Sequence, residues 1–458
     1  MWATLKEALH GTRIDYTTAP VGRAVILLAV PMVVEMAMES IFAVADVFWV
    51  AHLGADAVAT VGLTESMLTI IYTAAMGLSI GATALVARRT GEHDPEGASR
   101  AAGQSILLGI FVAAAIGLAA GPNAGALLRL MGASPELIAH NSGFTTIMLG
   151  GNATVLLLFL LNAVFRGAGD AAIAMRVLVL GNLLNIALGP CFIFGLGPFP
   201  EMGVAGAAVA TNIGRGTAVL YQIVTLASGR GRVHVRWRDL RLDVGTMASV
   251  VRLSGLGTVQ ILIGTASYVG LIRILSIFGS SALAGYTIGF RIILFALLPA
   301  FGLSNAAATM VGQNLGAGRP DRAEQAVWTA VRYNMAFLGS VGLLFLLGAP
   351  FITGLFTADP LIQPFAVACL RIVSLGFVFY AAGMVLTQSF NGAGDTWTPT
   401  YISLFVFWLW EIPLAWFLST AAGLGPRGVF IALTVAYSTL AVVSAILFRR
   451  GAWKTRRV

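Results

Sequence analysis

The tetrapeptide Gly-Ala-Gly-Asp occupies residues 167–170 and returns, unchanged, at residues 392–395. We call the shift that carries Gly167 onto Gly392 the repeat offset, and it aligns anchors on both sides of this motif. They are Gly77-Leu78-Ser79 with Gly302-Leu303-Ser304, Gly91 with Gly316, Pro95 with Pro320, and Gly203-Val204 with Gly428-Val429. Because a single gapless offset serves anchors from residue 77 to residue 204, the chain is built from two copies of one unit.

The composition indicates that both copies lie in a membrane. Of the 458 residues, 58% are hydrophobic and 10% are charged, and the mean hydropathy is +0.86. Soluble domains carry about 25% charged residues. Twelve apolar stretches are long enough to cross ~30 Å of hydrocarbon. They begin near Ala24, Ala57, Ala101, Leu137, Ala171, Gly203, Thr246, Ala282, Glu324, Leu361, Thr398 and Gly428.

We therefore predict an all-α integral membrane protein with twelve transmembrane helices in two pseudo-symmetric six-helix bundles. The first bundle comprises residues 1–227 and the second residues 246–458, with a basic cytoplasmic linker at residues 228–245. Because each unit holds an even number of spans, both units enter the membrane from the same side, as parallel repeats do.

Lysine and arginine are distributed unevenly between the two sides of this predicted membrane protein. When alternate connections are counted, the side with both termini receives twenty-two of these residues, Arg166 among them, and the other side receives Arg129 and Arg427. Such an excess marks the cytoplasmic side. We expect a multi-pass protein of the cell inner (plasma) membrane with both termini in the cytoplasm. The same pattern accounts for the net charge of +8 without nucleic acid.

The first predicted span carries three carboxylates in PMVVEMAMESIFAVADVFWV, residues 31–50. At about 100° per residue, Glu35, Glu39 and Asp46 lie within about 40° of one another and form a stripe ~16 Å long. A stripe of acids cannot face lipid and should line the interior, where it could exchange protons, hold Na⁺ or bind a cationic substrate. The alternative is pairing with buried arginines. The arginines within predicted spans are Arg215, Arg273, Arg291 and Arg371.

Other residues extend this candidate site. Pro31 lies one turn before Glu35 and removes a backbone hydrogen bond, so we predict a hinge there. Met36 flanks the stripe and can line a substrate cavity adaptably. Glu65 in the second span and Glu411 in the eleventh are single intramembrane acids. Each is either a partner for an arginine or a coupling group, and we assign Glu65 to the substrate cavity.

Over essentially its whole length, the sequence resembles the multidrug and toxic compound extrusion (MATE) family of cation antiporters. The order and spacing of the matching features carry the resemblance. These are Pro31, FAVADVFWVAHLG (42–54), RGAGD (166–170), GNLLNIALGPCFIFG (181–195), GVAGAAVAT (203–211) and SFNGAGDTWTPT (389–400). The resemblance implies export of amphipathic, often cationic, small molecules, driven by inward flow of H⁺ or Na⁺.

The resemblance also implies a cation site in the first half. Family members with such a site use a first-helix Asp, an Asn and an Asp one turn apart on the fifth helix, and a Thr on the sixth. Asp46, Asn185 and Thr211 match three of these, with Asn182 beside them in the substrate cavity. Gly189 stands where the fifth-helix Asp would be.

We hypothesise that Glu35 or Glu39 replaces the missing acid. A proton needs one or two carboxylates, whereas Na⁺ needs a fuller cage of oxygens, so H⁺ is favoured and Na⁺ at Asp46 is the alternative. A second family scheme uses acids on the seventh and tenth helices. The corresponding segments, residues 260–273 and 377–386, contain none, so coupling through the second half is not expected.

Three other functions are alternatives to an antiporter. A lipid-linked saccharide flippase of the same superfamily needs a strongly cationic cavity, which the intramembrane arginines favour and the first-helix acids oppose. An integral-membrane enzyme is disfavoured because the sequence has no HExxH, P-loop or Cys/His cluster. A channel would need filter rings that are not visible.

The expected partners are therefore a small-molecule substrate and the lipid bilayer. We expect a monomeric transporter, not an enzyme, with H⁺ or Na⁺ as coupling ion and no bound cofactor or structural metal. The two cysteines, Cys191 and Cys369, lie within apolar segments and predict neither a disulfide nor a metal site.

Overall fold

The computed structural model describes the backbone of residues 2–456 and their side chains, except those of residues 2, 43, 44, 46 and 47. Two residues used in the sequence analysis therefore lie outside the described part. One is Asp46, the central acid of the predicted cation site, whose side chain is not described. The other is Arg457, which was counted on the side with both termini. Within residues 2–456 the regular structure is helical throughout.

The first half begins with a short helix, α1 (Trp2–His10), and continues with helices that supply the first six predicted spans. They are α2 (Val21–Ala51), α3 (Ala55–Gly91), α4 (Pro95–Ala120), α5 (Ala124–Leu130), α6 (Pro135–Gly150), α7 (Ala153–Ala168), α8 (Ala171–Phe194) and α9 (Val204–Ala227). Helices α6 and α7 together form the fourth span.

The second half repeats this order after a short 3₁₀ turn at Trp237–Leu240. Its helices are α10 (Val244–Leu275), α11 (Ser280–Gly316), α12 (Pro320–Gly354), α13 (Gln363–Ser374), α14 (Phe377–Gly392), α15 (Trp397–Ser403), α16 (Ile412–Trp416) and α17 (Pro426–Arg449). Two π-helical segments continue the eleventh span: Leu404–Glu411 joins α15 to α16, and Phe417–Ala421 extends α16.

Among the described residues, ten helices are long and apolar enough to cross a membrane, or eleven if the bent pair α13–α14 is one span. Helix α9 is the remaining member of the predicted twelve. Its 24 residues span ~36 Å. It is less apolar because Asn212, Arg215 and Gln222 lie on it, and each forms hydrogen bonds inside the first half. The predicted all-helical membrane fold is confirmed.

The repeat offset recurs in the helix boundaries. Helices α3 and α11 begin and end at equivalent positions, and α4 and α12 begin at Pro95 and Pro320. The fourth and tenth spans are each interrupted, after Gly150 and after Ser374, within one residue of equivalent positions. At the second of these breaks, the chain bends by 59°. The two copies therefore share local irregularities as well as spans.

The repeated GAGD motif ends a helix in each half. Gly169 and Gly394 have φ of 87° and 80°, a backbone conformation that favours glycine. The amide of the following aspartate donates to a carbonyl five residues earlier, Asp170 to Phe165 at 2.8 Å and Asp395 to Phe390 at 3.0 Å. This is the hydrogen bond of a Schellman motif, which satisfies a carbonyl at the helix end.

The aspartate of each motif then binds an arginine from the segment that follows its own half. Asp170 accepts a hydrogen bond from the backbone N–H of Arg232 in the linker, at 2.5 Å. Asp395 lies 3.5 Å from the guanidinium of Arg456 in the C-terminal tail. Burial raises the pKa of the Asp170 carboxyl, and the hydrogen bond and charge of Arg232 oppose that rise. The motif thus anchors the linker and the tail in equivalent ways.

Both ends of the described chain lie on one side of the molecule, which we call the terminal side. The guanidinium of Arg322 in the second half binds the carbonyl of Ala19. The guanidinium of Arg88 in the first half binds the carbonyl of Arg456. Each terminal segment is therefore held by an arginine of the opposite half.

The halves approach one another most closely through glycines on α3 and α11. A Cβ added at Gly77 would lie 2.7 Å from the Cα of Thr258 on α10. A Cβ added at the equivalent Gly302 would lie 2.7 Å from the backbone of Met32 on α2. Nearer the terminal side, Gly91 and Gly316 pack in the same way on the opposite half. Such backbone contact requires residues without a side chain.

We predict that Gly77→Ala and Gly302→Ala, singly and together, separate the halves on the terminal side. Alanine normally stabilises a helix by about 0.5–1 kcal/mol relative to glycine. Separation of the halves in these variants would therefore come from the steric clash of the added Cβ and not from a weaker helix. The measurement is the distance between spin labels at positions 96 and 321, two exposed and equivalent positions, with both native cysteines replaced by serine. We expect longer distances in all three variants.

Gly62→Ala is the matched control, because Gly62 also lies within α3 and an added Cβ there meets no atom within 4 Å. It should leave the distance unchanged. Unaltered distances in the Gly77→Ala/Gly302→Ala double variant would contradict the proposed role of these contacts.

Candidate functional site

The first intramembrane acid, Glu35, forms an ion pair. Its Oε1 lies 2.5 Å from a guanidinium nitrogen of Arg166, and the side chains are 0% and 7% exposed. Glu35 follows Pro31, which lies within a continuous α2; the hinge at Pro31 stays a prediction. The pairing is the alternative that the sequence left open for the first-helix acids.

Arg166, the partner of Glu35, was counted from the sequence with the basic residues of the side that holds both termini. The residue lies in the last turn of α7, and its side chain is buried. Side chains on a helix point back towards its N-terminus, so a long arginine in the last turn can extend into the bundle. It therefore reaches Glu35 on α2 rather than solvent.

Glu39, one turn further along α2, belongs to a second group of charges. Its Oε1 lies 3.5 Å from the guanidinium of Arg215 on α9, which also donates to the Tyr72 hydroxyl at 3.2 Å. The same guanidinium lies over the ring of Phe42, 4.8 Å from its centroid. Arg215 is 4% exposed and Glu39 is 19% exposed, so Glu39 alone of this pair keeps access to solvent or substrate.

Glu65 lies two turns before Tyr72 on the same face of α3, and the Tyr72 hydroxyl accepts a hydrogen bond from Arg215. The side chain of Glu65 is exposed, and the described residues show no salt bridge between it and Arg215. We call Glu39, Glu65, Tyr72 and Arg215 the first-half polar cluster. It contains one arginine and two carboxylates, so its fully ionised form carries a net negative charge.

The three polar residues suggested by the resemblance lie on α8 and α9. The amide of Asn185 donates to the Thr211 hydroxyl at 2.9 Å. The amide of Asn182 donates to the carbonyl of Met38 on α2, at 3.0 Å. Met36 is half-buried on the same helix. The structure thus joins Asn185 to Thr211 and places Asn182 against the helix of the first-span acids.

The arginines proposed from sequence as buried partners behave differently from one another. Within the described residues, Arg215 pairs with a carboxylate, whereas Arg273, Arg291 and Arg371 are exposed. Arg166, the partner of Glu35, was not among the candidates. The sequence carries no signal for it, because its pairing depends on how α7 packs in the bundle.

The second half contains a cavity that the sequence analysis did not find. It has a volume of about 380 Å³ and lies between α10, α11, α14, α17 and the π-helical segment Leu404–Glu411. Glu411, 2% exposed, is the one carboxylate among its described lining residues, and Ser267 donates to it at 2.7 Å. In the described chain no lysine or arginine forms a salt bridge with Glu411, contrary to one of the two roles considered for it.

Comparison with known proteins supports this two-part architecture. The sequence pattern of the MatE family matches residues 31–191 and again residues 258–417, one match in each half. Relatives include the probable multidrug resistance proteins NorM of Thermotoga maritima and of Pseudomonas aeruginosa. The first is 26% identical over 443 residues, covering 95% of this chain and 94% of the relative. The second is 28% identical over 460 residues, covering 95% and 90%.

Solved structures show the same fold. A crystal structure of MATE in the straight conformation has a TM-score of 0.89 and 27% identity, covering 98% of this chain and 99% of that one. The crystal structure in the bent conformation has a TM-score of 0.88 and 26% identity, with 98% coverage of each chain.

We predict that Glu35→Gln destabilises the protein strongly, because it leaves the Arg166 charge buried without a partner. Breaking a buried ion pair from one side costs about 3–5 kcal/mol. The measurement is the thermal unfolding midpoint of the purified protein in detergent. The double variant Glu35→Gln/Arg166→Gln should recover part of the loss.

Glu7→Gln is the control, because it breaks the exposed Arg23–Glu7 pair on the terminal side. An exposed pair contributes about 0–1 kcal/mol, so its midpoint should change little. Equal midpoints for Glu35→Gln and Glu7→Gln would show that the Glu35 pair has no structural role.

Proposed function

Because this chain belongs to the MatE family of efflux transporters, we propose that it exports amphipathic, cationic organic compounds in exchange for H⁺. It is a membrane transporter of small molecules and not an enzyme, as its relatives and matching structures are transporters. The nature of the driving ion and the antiport mechanism are the parts that we propose.

The observation that carries the proposal is the first-half polar cluster. Arg215 can neutralise Glu39 or Glu65 but not both, and an unpaired carboxylate inside a membrane protein is costly. A proton removes that cost. The cluster can therefore take up and release a proton, which coupling of export to an inward flow of H⁺ requires.

Glu39 suits a coupling role better than Glu35 does. Glu35 is fully enclosed and 2.5 Å from its arginine, so protonation would strand the buried charge of Arg166. Glu39 is partly exposed and 3.5 Å from Arg215, whose guanidinium is also held by Tyr72 and Phe42. Arg215 therefore keeps partners when Glu39 takes up a proton. Asp46 and the Asn185–Thr211 pair complete the proposed site.

The contacts between the halves support alternating access. The glycine contacts join the halves towards the terminal side, which the charge distribution predicts to be cytoplasmic. With that orientation, the protein is closed towards the cytoplasm, and rocking of the two bundles about the equivalent contacts would expose the site to each side in turn.

The arginine pairs weigh against a lipid-linked saccharide flippase. A site for an anionic pyrophosphate needs positive charge that is free to bind it. In the described residues, Arg166 and Arg215, whose side chains are buried among the first-half helices, each face a glutamate. Their charge is therefore already balanced, and the accessible members of the cluster are carboxylates.

We predict that ethidium transport in proteoliposomes is driven by an imposed pH gradient and not by a Na⁺ gradient. Glu39→Gln and Asp46→Asn should each abolish gradient-driven transport, because they remove proposed proton carriers. Ethidium binding to the purified Glu39→Gln variant should stay measurable.

Glu136→Gln removes an exposed carboxylate at the start of α6. It is the control for the loss of one negative charge and for purification and reconstitution of a variant. It should transport as the unmodified protein does. Transport driven by Na⁺ alone would overturn the choice of ion, and unchanged transport in Glu39→Gln would reject Glu39 as a coupling group.

A further inference from the structure

The cavity of the second half occupies the position that the first half fills with charged side chains. At the repeat offset, Glu39, Tyr72 and Arg215 correspond to Gly264, Leu297 and Leu440. All three counterparts line the cavity. Glycine and leucine in place of two charged residues and a tyrosine leave open space where the first half has a polar network.

The cavity retains one acid, and that acid comes from a different helix. Glu411 lies at the end of the π-helical segment Leu404–Glu411, two residues before Pro413. π-Helical turns are rare and frequently occur at functional sites. At the repeat offset, Glu411 corresponds to Ile186 of α8. The carboxylate therefore belongs to the second half alone.

The carboxylate of Glu411 receives few hydrogen bonds from the described residues. Ser267 donates to its Oε2 at 2.7 Å, but the same hydroxyl also lies 3.0 Å from the carbonyl of Phe407, and it has one proton to donate. Two further buried polar atoms of lining residues, the Tyr286 hydroxyl and the Gln260 amide oxygen, have no hydrogen-bond partner among the described residues. The lining thus contains three polar groups whose hydrogen-bonding capacity the described residues do not fully use, and the carboxylate of Glu411 is the charged one.

The walls around Glu411 are aromatic. The ring centroids of Tyr268 and Phe290 are 4.8 Å apart, and those of Tyr286 and Phe290 are 5.5 Å apart. On the opposite helices, Tyr380 and Tyr437 stack with centroids 3.8 Å apart. Aromatic faces attract cations, more strongly where water is excluded. Ile80 of the first half also lines the cavity, so it extends to the contact between the halves.

We propose that this cavity is the binding site for the transported organic cation, with Glu411 as its counter-charge and the tyrosines as its walls. This inference rests on the proposed efflux of cations and deepens it by naming a site. The volume of about 380 Å³ fits a small drug-like molecule rather than a bare metal ion. The ligand that fits this lining carries a single positive charge on a flat or aromatic body.

The site separates the substrate from the proton. Glu39 and Glu411 lie in different halves and on different helices, so the substrate need not displace the proton from the same carboxylate. Exchange would then depend on movement of the halves relative to one another, through the glycine contacts that join α3 to α10 and α2 to α11.

The test is equilibrium binding of ethidium to the purified full-length protein in detergent, measured by fluorescence anisotropy. Glu411→Gln should weaken binding at least about tenfold, a difference of about 1.4 kcal/mol. Tyr268→Leu should weaken it several-fold while leaving the carboxylate in place. Glu136→Gln is the control, because it removes an exposed carboxylate of the first half that does not line the cavity. It should bind ethidium as the unmodified protein does.

A neutral relative of the probe, dihydroethidium, separates charge from shape. It should bind weakly to the unmodified protein and equally weakly to Glu411→Gln. If Glu411→Gln fails to give a folded, monodisperse protein, Tyr268→Leu and Tyr380→Leu decide the matter. Unchanged ethidium affinity in these aromatic variants, or in a folded Glu411→Gln, overturns the proposal. If the unmodified protein binds ethidium in a Glu411-dependent way but no imposed gradient drives its transport, the proposed efflux function fails while this binding site stands.

Discussion

The organisation of both halves depends on the cost of an unpaired charge in an apolar interior, because hydrocarbon offers it neither water nor counter-ions. In the first half this constraint has produced two ion pairs, Glu35 with Arg166 and Glu39 with Arg215. In the second half it has produced a cavity around one carboxylate that no described basic side chain neutralises. The two solutions differ in what they can bind: the first half can exchange a proton at Glu39, and the second half offers its unpaired carboxylate to an organic cation.

Because the fold is repeated, the two halves can be compared position by position. Helix boundaries, span breaks, GAGD turns and glycine contacts recur at one offset, so the scaffold of the two halves is the same. The interior side chains have diverged. The same backbone that holds Arg215 against Glu39 holds Leu440 near Gly264, and the volume released by the smaller side chains forms part of the cavity. A duplicated frame therefore supports a charged site in one half and an aromatic site in the other.

The sequence predicted the frame more completely than the site. Long apolar runs and the GAGD offset are local signals, and they placed the helices and the two halves. The family resemblance pointed to Asn185 and Thr211 as members of one site, and in the structure a hydrogen bond joins them. The partner of Glu35 did not follow, since Arg166 is far away in sequence and its side-chain direction depends on the packing of α7. The tyrosines around Glu411 come from four different helices between Tyr268 and Tyr437, and no periodicity connects them.

The helices that contact each other across the two halves are also those that carry the proposed sites. Helix α2 holds Glu39 and packs on α11, where Tyr286 and Phe290 line the cavity. Helix α3 holds Glu65 and packs on α10, which presents Ser267 to Glu411. Glycine contacts leave these helix pairs little freedom to adjust independently, because backbones rather than flexible side chains meet there. A change in the tilt of α2 on protonation of Glu39 would therefore move a wall of the cation cavity. Coupling between proton and substrate would follow from this shared packing without a carboxylate common to both.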